Sequence, residues 1–129
     1  GWDADAVLVH HGLFWGREDP DNDPTRPFDE RRAARLRERG MSLLAYHLPL
    51  DAHPEVGNNV EIARRLGLVD PTFDFAPIPE TAVAIGLVGK SDPAISVAQL
   101  VERATGFTGF HPQVVAGGPE AIRTVAVLS

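Results

Sequence analysis

Short apolar runs alternate with longer amphipathic stretches along the chain, a pattern typical of strands that alternate with helices. These runs, which are mostly apolar, span residues 6–9, 41–46, 82–88 and 122–128. The amphipathic stretches span residues 29–40, 58–67 and 91–104. The first run, residues 6–9, is continuously apolar, which predicts a strand covered on both faces. We therefore predict an α/β fold, with a parallel or mixed sheet and flanking helices.

Residues that favour helix ends flank these amphipathic stretches. Asp29 can cap the first helix, and Asn58 or Asn59 can cap the second, because their side-chain oxygens accept hydrogen bonds from a helical first turn. Ser91-Asp92-Pro93 would begin the third helix. Gly40 stands where the first helix needs a left-handed residue. These signals predict three helices with defined ends.

Composition and chain ends bear on the domain organisation. The Pro-rich stretch from Val69 to Glu80 predicts a boundary between a part at 1–80 and a second α/β part at 81–129. The chain opens at Gly1 without an initiator methionine, and it stops just after a strand-like run ending at Leu128. Natural domains tend to end in surface segments. We therefore expect an internal piece of a larger two-domain α/β protein, with both parts incomplete.

The composition disfavours several classes of function. The 129 residues carry a formal net charge of −6, whereas domains that hold nucleic acid are usually basic, so we predict no nucleic-acid partner. The chain has no cysteine, which excludes disulfides, thiolate zinc sites and cysteine nucleophiles and makes a cytoplasmic location the default. No apolar run approaches the roughly 20 residues that cross a bilayer, so we predict no membrane association.

Potential metal ligands follow the first two predicted strands. His10 and His11 come directly after the first strand, and His47 and Asp51 come after the second. Because a strand–helix–strand unit usually joins parallel neighbours, both groups should reach the same edge of the sheet, where α/β folds bind ligands. Imidazole and carboxylate together suit zinc, iron, nickel, cobalt or manganese. A metal site and a plain loop feature are equally compatible with the spacing alone.

The adjacent histidines favour two ions over one. Consecutive side chains of an extended backbone point to opposite sides, so His10 and His11 would not easily grip a single ion. They could hold two ions with Asp51 beside or between them, and ion pairs about 3.5–4 Å apart serve many hydrolases. Glu55 could act as a general base near such a centre; the alternative is that His53 and Glu55 only shape the loop before the second helix.

Other features favour structural roles over chemistry. Phe14 and Trp15 could stack against a purine, but core packing is the favoured interpretation, because large aromatic side chains are mostly buried. Residues 84–91 fit a relaxed phosphate-loop pattern, yet their apolar residues favour a strand followed by a tight turn. An arginine-bearing face of the first helix is assigned to solvent or subunit contacts: Arg31, Arg32, Arg35 and Arg39.

Two long motifs resemble a known family. The segments ADAVLVHHGLFWG and LLAYHLPLDAHPEVGNN, followed by an ARRLGL helix, are similar to the NIF-three-like family. Its members are also called dinuclear-metal-centre hexameric proteins, and many are labelled GTP cyclohydrolase 1 type 2 homologues. The resemblance continues more weakly through GFHPQVVAGG and IRTVAVLS, so it spans nearly the whole chain.

The resemblance implies a site and a function. His10, His11 and Asp51 match the metal ligands of the family, and His47 looks like a residue that lines the same site. We therefore expect two divalent metal ions and name His47 as a catalytic residue, together with Glu55, the general-base candidate that the residues alone suggested. The implied activity is metal-dependent hydrolysis of a small molecule such as GTP or another nucleotide, with ring opening at the purine C8, in a homohexamer.

Two other functions stay open beside this one. The first is a non-catalytic metal-binding scaffold or regulatory adaptor that forms a hexameric ring. The second is a metal-dependent phosphoesterase at the same ions.

The chain also departs from the family pattern. Family members carry a C-terminal His-x-x-x-Glu that completes both metal positions, whereas His111 here is followed four places later by Val115. The sequence thus supplies three of the five ligands that the resemblance implies, and we expect weak metal binding unless the others are supplied.

Overall fold

The computed structural model describes residues 3–14 and 26–129, and it divides the chain into two compact units, Gly1–His47 and Leu48–Ser129. The first unit contains a parallel pair of strands, and the second contains a three-stranded antiparallel sheet. Helices accompany both sheets. The predicted α/β class is confirmed.

The first unit is a strand–helix–strand arrangement. It consists of β1 (Ala6–Val9), α1 (Arg26–Glu38) and β2 (Ser42–Ala45), with β1 parallel to β2 and Val9 in register with Ala45. The α-helix α1 buries Ala33, and it is followed by Gly40 at a φ of +62°, the left-handed conformation predicted there. This arrangement brings the ends of β1 and β2 to one edge.

Two predictions about the first unit are wrong in detail. The strand β1 is not covered on both faces, because Leu8 is 72% exposed, and its register partner Leu44 on β2 is 53% exposed on the same face of the sheet. Asp29 does not cap α1, because the helix begins at Arg26 and Asp29 lies buried inside its first turn. A carboxylate in the first turn still complements the helix dipole, and its Oδ1 lies 3.4 Å from Nη1 of Arg32.

The second unit packs two longer helices with the antiparallel sheet. Its elements are α2 (Leu48–Asp51), α3 (Asn58–Arg65), β3 (Val69–Pro77), β4 (Ala84–Ile95), α4 (Val97–Thr108) and β5 (Ile122–Val127). The strand order is β3-β4-β5. The core combines one face of α3 with the sheet: Val60, Ala63, Leu66, Leu68, Leu87 and Val127. Leu87, on the central strand β4, is fully buried.

The Pro-rich stretch forms a strand. β3 occupies most of residues 69–80 and pairs with β4, with shifts of register that accommodate its irregular backbone. The contacts divide the chain at His47/Leu48 and not within this stretch. The assignment of 1–80 and 81–129 to two domains of a longer protein stays a prediction.

The helix predicted from Ser91 begins later. β4 continues to Ile95, and the buried hydroxyl of Ser91 donates to the carbonyl oxygen of Pro93, so it caps no helix. Ser96 is the cap of α4: its Oγ accepts from the backbone N–H of Gln99, and Oε1 of Gln99 accepts from the N–H of Ser96. This reciprocal pair is a capping box.

The phosphate-loop pattern at 84–91 lies within β4, as the strand interpretation expects. A Cβ atom at Gly86 would lie 2.7 Å from the carbonyl oxygen of Val127, and one at Gly89 would lie 2.9 Å from Cβ of Leu68. These glycines therefore permit close packing within the core. The tight turn predicted at Gly89 is absent, because β4 runs through it.

We expect Ser96→Ala to lower the free energy of unfolding by about 1 kcal/mol, because the first turn of α4 loses its side-chain cap. Glu102→Ala, an exposed change within the same helix, is the matched control and should have a smaller effect. Urea unfolding followed by circular dichroism measures both. Equal effects of the two changes would contradict the stabilising role of the capping box.

In the described part of the chain, no helix is both long enough and apolar enough to cross a bilayer.

Candidate metal centre

Three histidines meet where β1 and β2 end. The backbone N–H of Tyr46 donates to the carbonyl oxygen of Val9 at 2.9 Å, so the two strands are still joined at the residues that precede His10 and His47. His10 and His47, which follow Val9 and Tyr46, therefore leave the sheet at adjacent points of one edge. Parallel pairing of β1 with β2 is what brings side chains 37 positions apart in the sequence together.

The imidazole rings form a compact cluster. Ring centroids are 4.5 Å apart for His10 and His47, 4.8 Å for His11 and His47, and 4.8 Å for His10 and His11. One ligand nitrogen from each ring can be chosen so that all three lie within 4.8 Å of one another. His10 and His47 are half-buried, whereas His11 is exposed, so the cluster stays open to ligands.

The adjacent histidines do not point to opposite sides. The chain bends at His10 and His11 directly after β1, so the alternation of an extended strand stops there. Their ring centroids are consequently only 4.8 Å apart. The predicted obstacle to a single shared ion is therefore wrong.

The three imidazoles could hold a metal ion. Nitrogens bound to one tetrahedral ion lie about 3.4 Å apart, given metal–nitrogen distances of about 2.1 Å. Nitrogens that serve two neighbouring ions can lie farther apart, because such ions are themselves about 3.5–4 Å apart. A spread of up to 4.8 Å fits either arrangement after small rotations of the rings. Imidazole favours zinc, copper, iron or nickel over magnesium or calcium.

Asp51, the predicted carboxylate ligand, lies in the second unit. It ends α2 and is 2% exposed. Its Oδ1 accepts hydrogen bonds from Nδ2 of Asn58 at 2.9 Å and from Oγ of Ser129 at 2.8 Å. Two donors on one oxygen fix the orientation of the carboxylate, which is what outer residues do for metal-binding carboxylates.

The backbone of Asp51 is held as firmly as its carboxylate. Nδ2 of Asn59 donates to the carbonyl oxygens of Asp51 at 3.2 Å and of Ile85 at 2.9 Å, so one amide joins α2, α3 and β4. Gly57 allows α3 to begin close to α2, because a Cβ atom there would overlap the carbonyl oxygens of His53 and Leu50. The position of Asp51 is therefore set by the start of α3.

The predicted capping role of the two asparagines is wrong. The N-cap of α3 is Gly57, with no side-chain cap hydrogen bond, while both asparagine side chains turn towards Asp51 and β4. Leaving the buried carbonyl oxygens of Asp51 and Ile85 without a donor would cost about 1–3 kcal/mol each, which favours the Asn59 amide as their partner over a capping role. Asn58, Asn59 and Ser129 are thus supporting residues that the sequence did not reveal. The repeated asparagine just before an apolar helix was the available signal.

His53 shapes the loop that follows α2. Its Nδ1 accepts from the backbone N–H groups of Glu55 at 3.2 Å and Val56 at 3.3 Å. The carbonyl oxygen of Glu55 accepts from Arg64 at 2.6 Å. These bonds support the loop-shaping alternative for His53. The catalytic role of the exposed Glu55 carboxylate stays a prediction.

Phe14 is not a core residue. Its side chain is 60% exposed, which contradicts the core-packing interpretation. Trp15, the other half of that prediction, lies outside the described residues. The alternative role of Phe14, stacking against a purine, stays a prediction.

Together, the α/β fold and the histidine cluster define a protein with a candidate metal-binding centre at a sheet edge. The chain belongs to the Duf34/NIF3 (NGG1p interacting factor 3) family, whose model matches residues 1–129. The predicted family is confirmed.

Curated relatives share one descriptive name. A protein of Pseudomonas aeruginosa is 41% identical over 125 residues, covering 96% of this chain and 46% of the relative. A protein of Deinococcus radiodurans is 40% identical over 131 residues, covering 98% of this chain and 45% of the relative. Both are named "GTP cyclohydrolase 1 type 2 homolog". The chain therefore spans about half the length of these relatives.

Solved structures share the fold. Protein ybgI, described as of unknown function, is 32% identical with a TM-score of 0.71, over 95% of this chain and 46% of that one. TTHA1606 of Thermus thermophilus is 38% identical with a TM-score of 0.66, over 96% of this chain and 45% of that one.

Proposed function

We propose that the full-length protein is a dinuclear metal-dependent hydrolase that acts on a purine nucleotide. The observation that carries the proposal is the cluster of His10, His11 and His47, whose ligand nitrogens lie within 4.8 Å of one another. The name "GTP cyclohydrolase 1 type 2 homolog" of the relatives supports a nucleotide substrate and ring hydrolysis as the reaction.

His10, His11 and Asp51 are the proposed ligands. Neutral imidazole nitrogens and a carboxylate oxygen form a donor set that borderline metals such as zinc, iron, nickel, cobalt and manganese accept. The Asp51 carboxylate suits the role because Asn58 and Ser129 already fix one of its oxygens. By family resemblance, two ions are bound, and a C-terminal His-x-x-x-Glu outside this chain supplies the remaining ligands.

His47 and Glu55 are the proposed catalytic residues. When bound, the ions supply an acidified water and an electrostatic clamp on the substrate. The Glu55 carboxylate is exposed and free to approach a substrate, where its oxygens would accept a proton as a general base. His47 lies within the histidine cluster, where its imidazole would orient the substrate or share a ligand position.

Assembly and location extend the proposal. By family resemblance the full-length protein forms a homohexamer, with a small molecule as the partner of each site. A cytoplasmic location stays a prediction from the composition.

The test is to incubate the metal-loaded full-length protein with GTP and to measure formate and phosphate. We expect wild type to release formate, and Asp51→Ala to lose most of both its metal content and its formate release. Asp74→Ala, a carboxylate change on exposed β3, is the matched control. Phosphate release instead of formate would favour the phosphoesterase alternative, and no turnover with bound metal would favour the adaptor. Unchanged metal content in Asp51→Ala would refute its role as a ligand.

A further inference from the structure

A cleft lies within the first unit, between α1, β2 and the segment that follows the histidine pair. Its volume is about 420 Å³, which lies in the range of small-molecule sites. Leu36, Met41 and Leu43 supply apolar walls, and Phe14 and Arg37 are the aromatic and cationic side chains that line it. It therefore combines three different kinds of contact.

The cleft adjoins the histidine cluster through the chain itself. Gly12, which lines the cleft, directly follows His11, and Ala45, which lines it from β2, precedes His47 by two positions. A Cβ atom at Gly12 would lie 3.1 Å from Cβ of Ala45, so glycine lets this segment pass close to β2. A ligand in the cleft would therefore lie beside the candidate metal centre.

The lining chemistry selects a particular class of ligand. The exposed ring of Phe14 offers a stacking face, and aromatic side chains can stack on any of the nucleobases. Among the described residues, Arg37 has no ion-pair partner, and an arginine guanidinium matches phosphate geometry. A ligand that satisfies all three contacts has a flat aromatic ring and an anionic group.

We propose that this cleft binds a nucleotide, with the base stacked on Phe14 and a phosphate bound by Arg37. The inference rests on the proposed function in one respect: the bound nucleotide would be the substrate of the adjoining metal centre. Free phosphate alone does not fit, because it would leave the apolar walls and the exposed ring without a contact.

The same helix offers matched controls. Phe28, also exposed, lies on another face of α1, and the guanidinium carbon of Arg31 lies 4.5 Å from its ring centroid, so its stacking face is already occupied. Arg35 lies on that face too, outside the cleft. Phe28→Ala and Arg35→Gln therefore remove one phenylalanine and one arginine side chain from the same unit, and neither residue lines the proposed site.

The experiment is isothermal titration calorimetry of the full-length protein with GTP, ATP and inorganic triphosphate. We expect Phe14→Ala to weaken both nucleotides about ten-fold, the usual scale for losing one stacked base, and to leave triphosphate unchanged. Arg37→Gln should weaken all three ligands about ten-fold, because a charge-assisted contact to phosphate is lost. Phe28→Ala and Arg35→Gln should stay within about two-fold of wild type.

Two results would overturn the inference: nucleotides that bind wild type no more tightly than triphosphate does, or cleft variants that match their controls. Metal content and formate release are measured on the same preparations. If metal content and turnover are intact, but neither Phe14→Ala nor Arg37→Gln weakens nucleotide binding, only the cleft proposal is refuted. If the protein releases no formate, yet nucleotide affinity falls in both cleft variants, the proposed ring hydrolysis is refuted and the cleft proposal is retained.

Discussion

His10→Ala in the full-length protein is expected to reduce the metal that survives dialysis against a chelator to less than about a tenth of the wild-type amount. Changing a residue that merely orients a ligand costs about 10–100-fold in metal affinity, so losing an imidazole that binds directly costs at least as much. His11→Ala should behave in the same way, because its ring belongs to the same cluster. Inductively coupled plasma mass spectrometry provides the measurement.

The control for these variants is His111→Ala. His111 is exposed, its Nδ1 lies 2.9 Å from the carbonyl oxygen of Pro112, and it lies outside the cluster. Its removal should leave the metal content unchanged. If His10→Ala and His11→Ala retained as much metal as His111→Ala, the histidine cluster would not be a metal centre, and the proposed hydrolase would lose its basis.

His47→Ala then separates two roles for the third imidazole. Loss of metal would show that His47 binds an ion directly, as its position within the cluster permits. Retained metal with lost turnover would assign it to the substrate side of the centre, as proposed above.

Asn59→Ala is expected to lower the free energy of unfolding by about 3 kcal/mol. Asn59 is 1% exposed, and its amide satisfies the carbonyl oxygens of both Asp51 and Ile85. Alanine would leave both carbonyls buried without these donors, and each such loss costs about 1–3 kcal/mol. Because these bonds join α2, α3 and β4, the variant should also loosen Asp51. Thermal and urea unfolding of the full-length protein measure the change.

Asn58→Ala is the comparison for this prediction. Asn58 is only half-buried and loses one hydrogen bond, to the Asp51 carboxylate, so its change should cost about 1 kcal/mol. Equal losses of unfolding free energy in the two variants would show that the buried hydrogen bonds of Asn59 stabilise the protein no more than the single bond of Asn58 does. A wild-type melting temperature in Asn59→Ala would contradict the bridging role altogether.

Local patterns were sufficient for the elements next to the histidines. The apolar runs before His10 and His47 predict both strands, and the intervening helix makes a parallel pair the expected connection. From that connection alone, the His10–His11 pair and the distant His47 are expected at one edge. The structure places all three rings together there.

Patterns failed where two interpretations differ only in their long-range partners. Serine is a residue type that often begins helices, so Ser91 and Ser96 are equivalent candidates in the sequence. Only the pairing of β4 with β5 keeps the chain extended at Ser91 and delays the helix until Ser96. Likewise, the prolines in the stretch 69–80 favour a boundary when only local residues are considered. The strand β3 forms because it pairs with β4, which lies farther along the chain. The exposure of Phe14 also depends on what surrounds it.

The sequence by itself determined the family, the α/β class and the edge at which the histidines gather, because these follow from motifs and from the parallel pairing that a strand–helix–strand connection favours. Only the tertiary structure decided that His10 and His11 turn to the same side and that Asn58 and Asn59 support Asp51. The reason is physical. A bend after a strand and the choice of a buried hydrogen-bond partner depend on atoms that are distant along the chain.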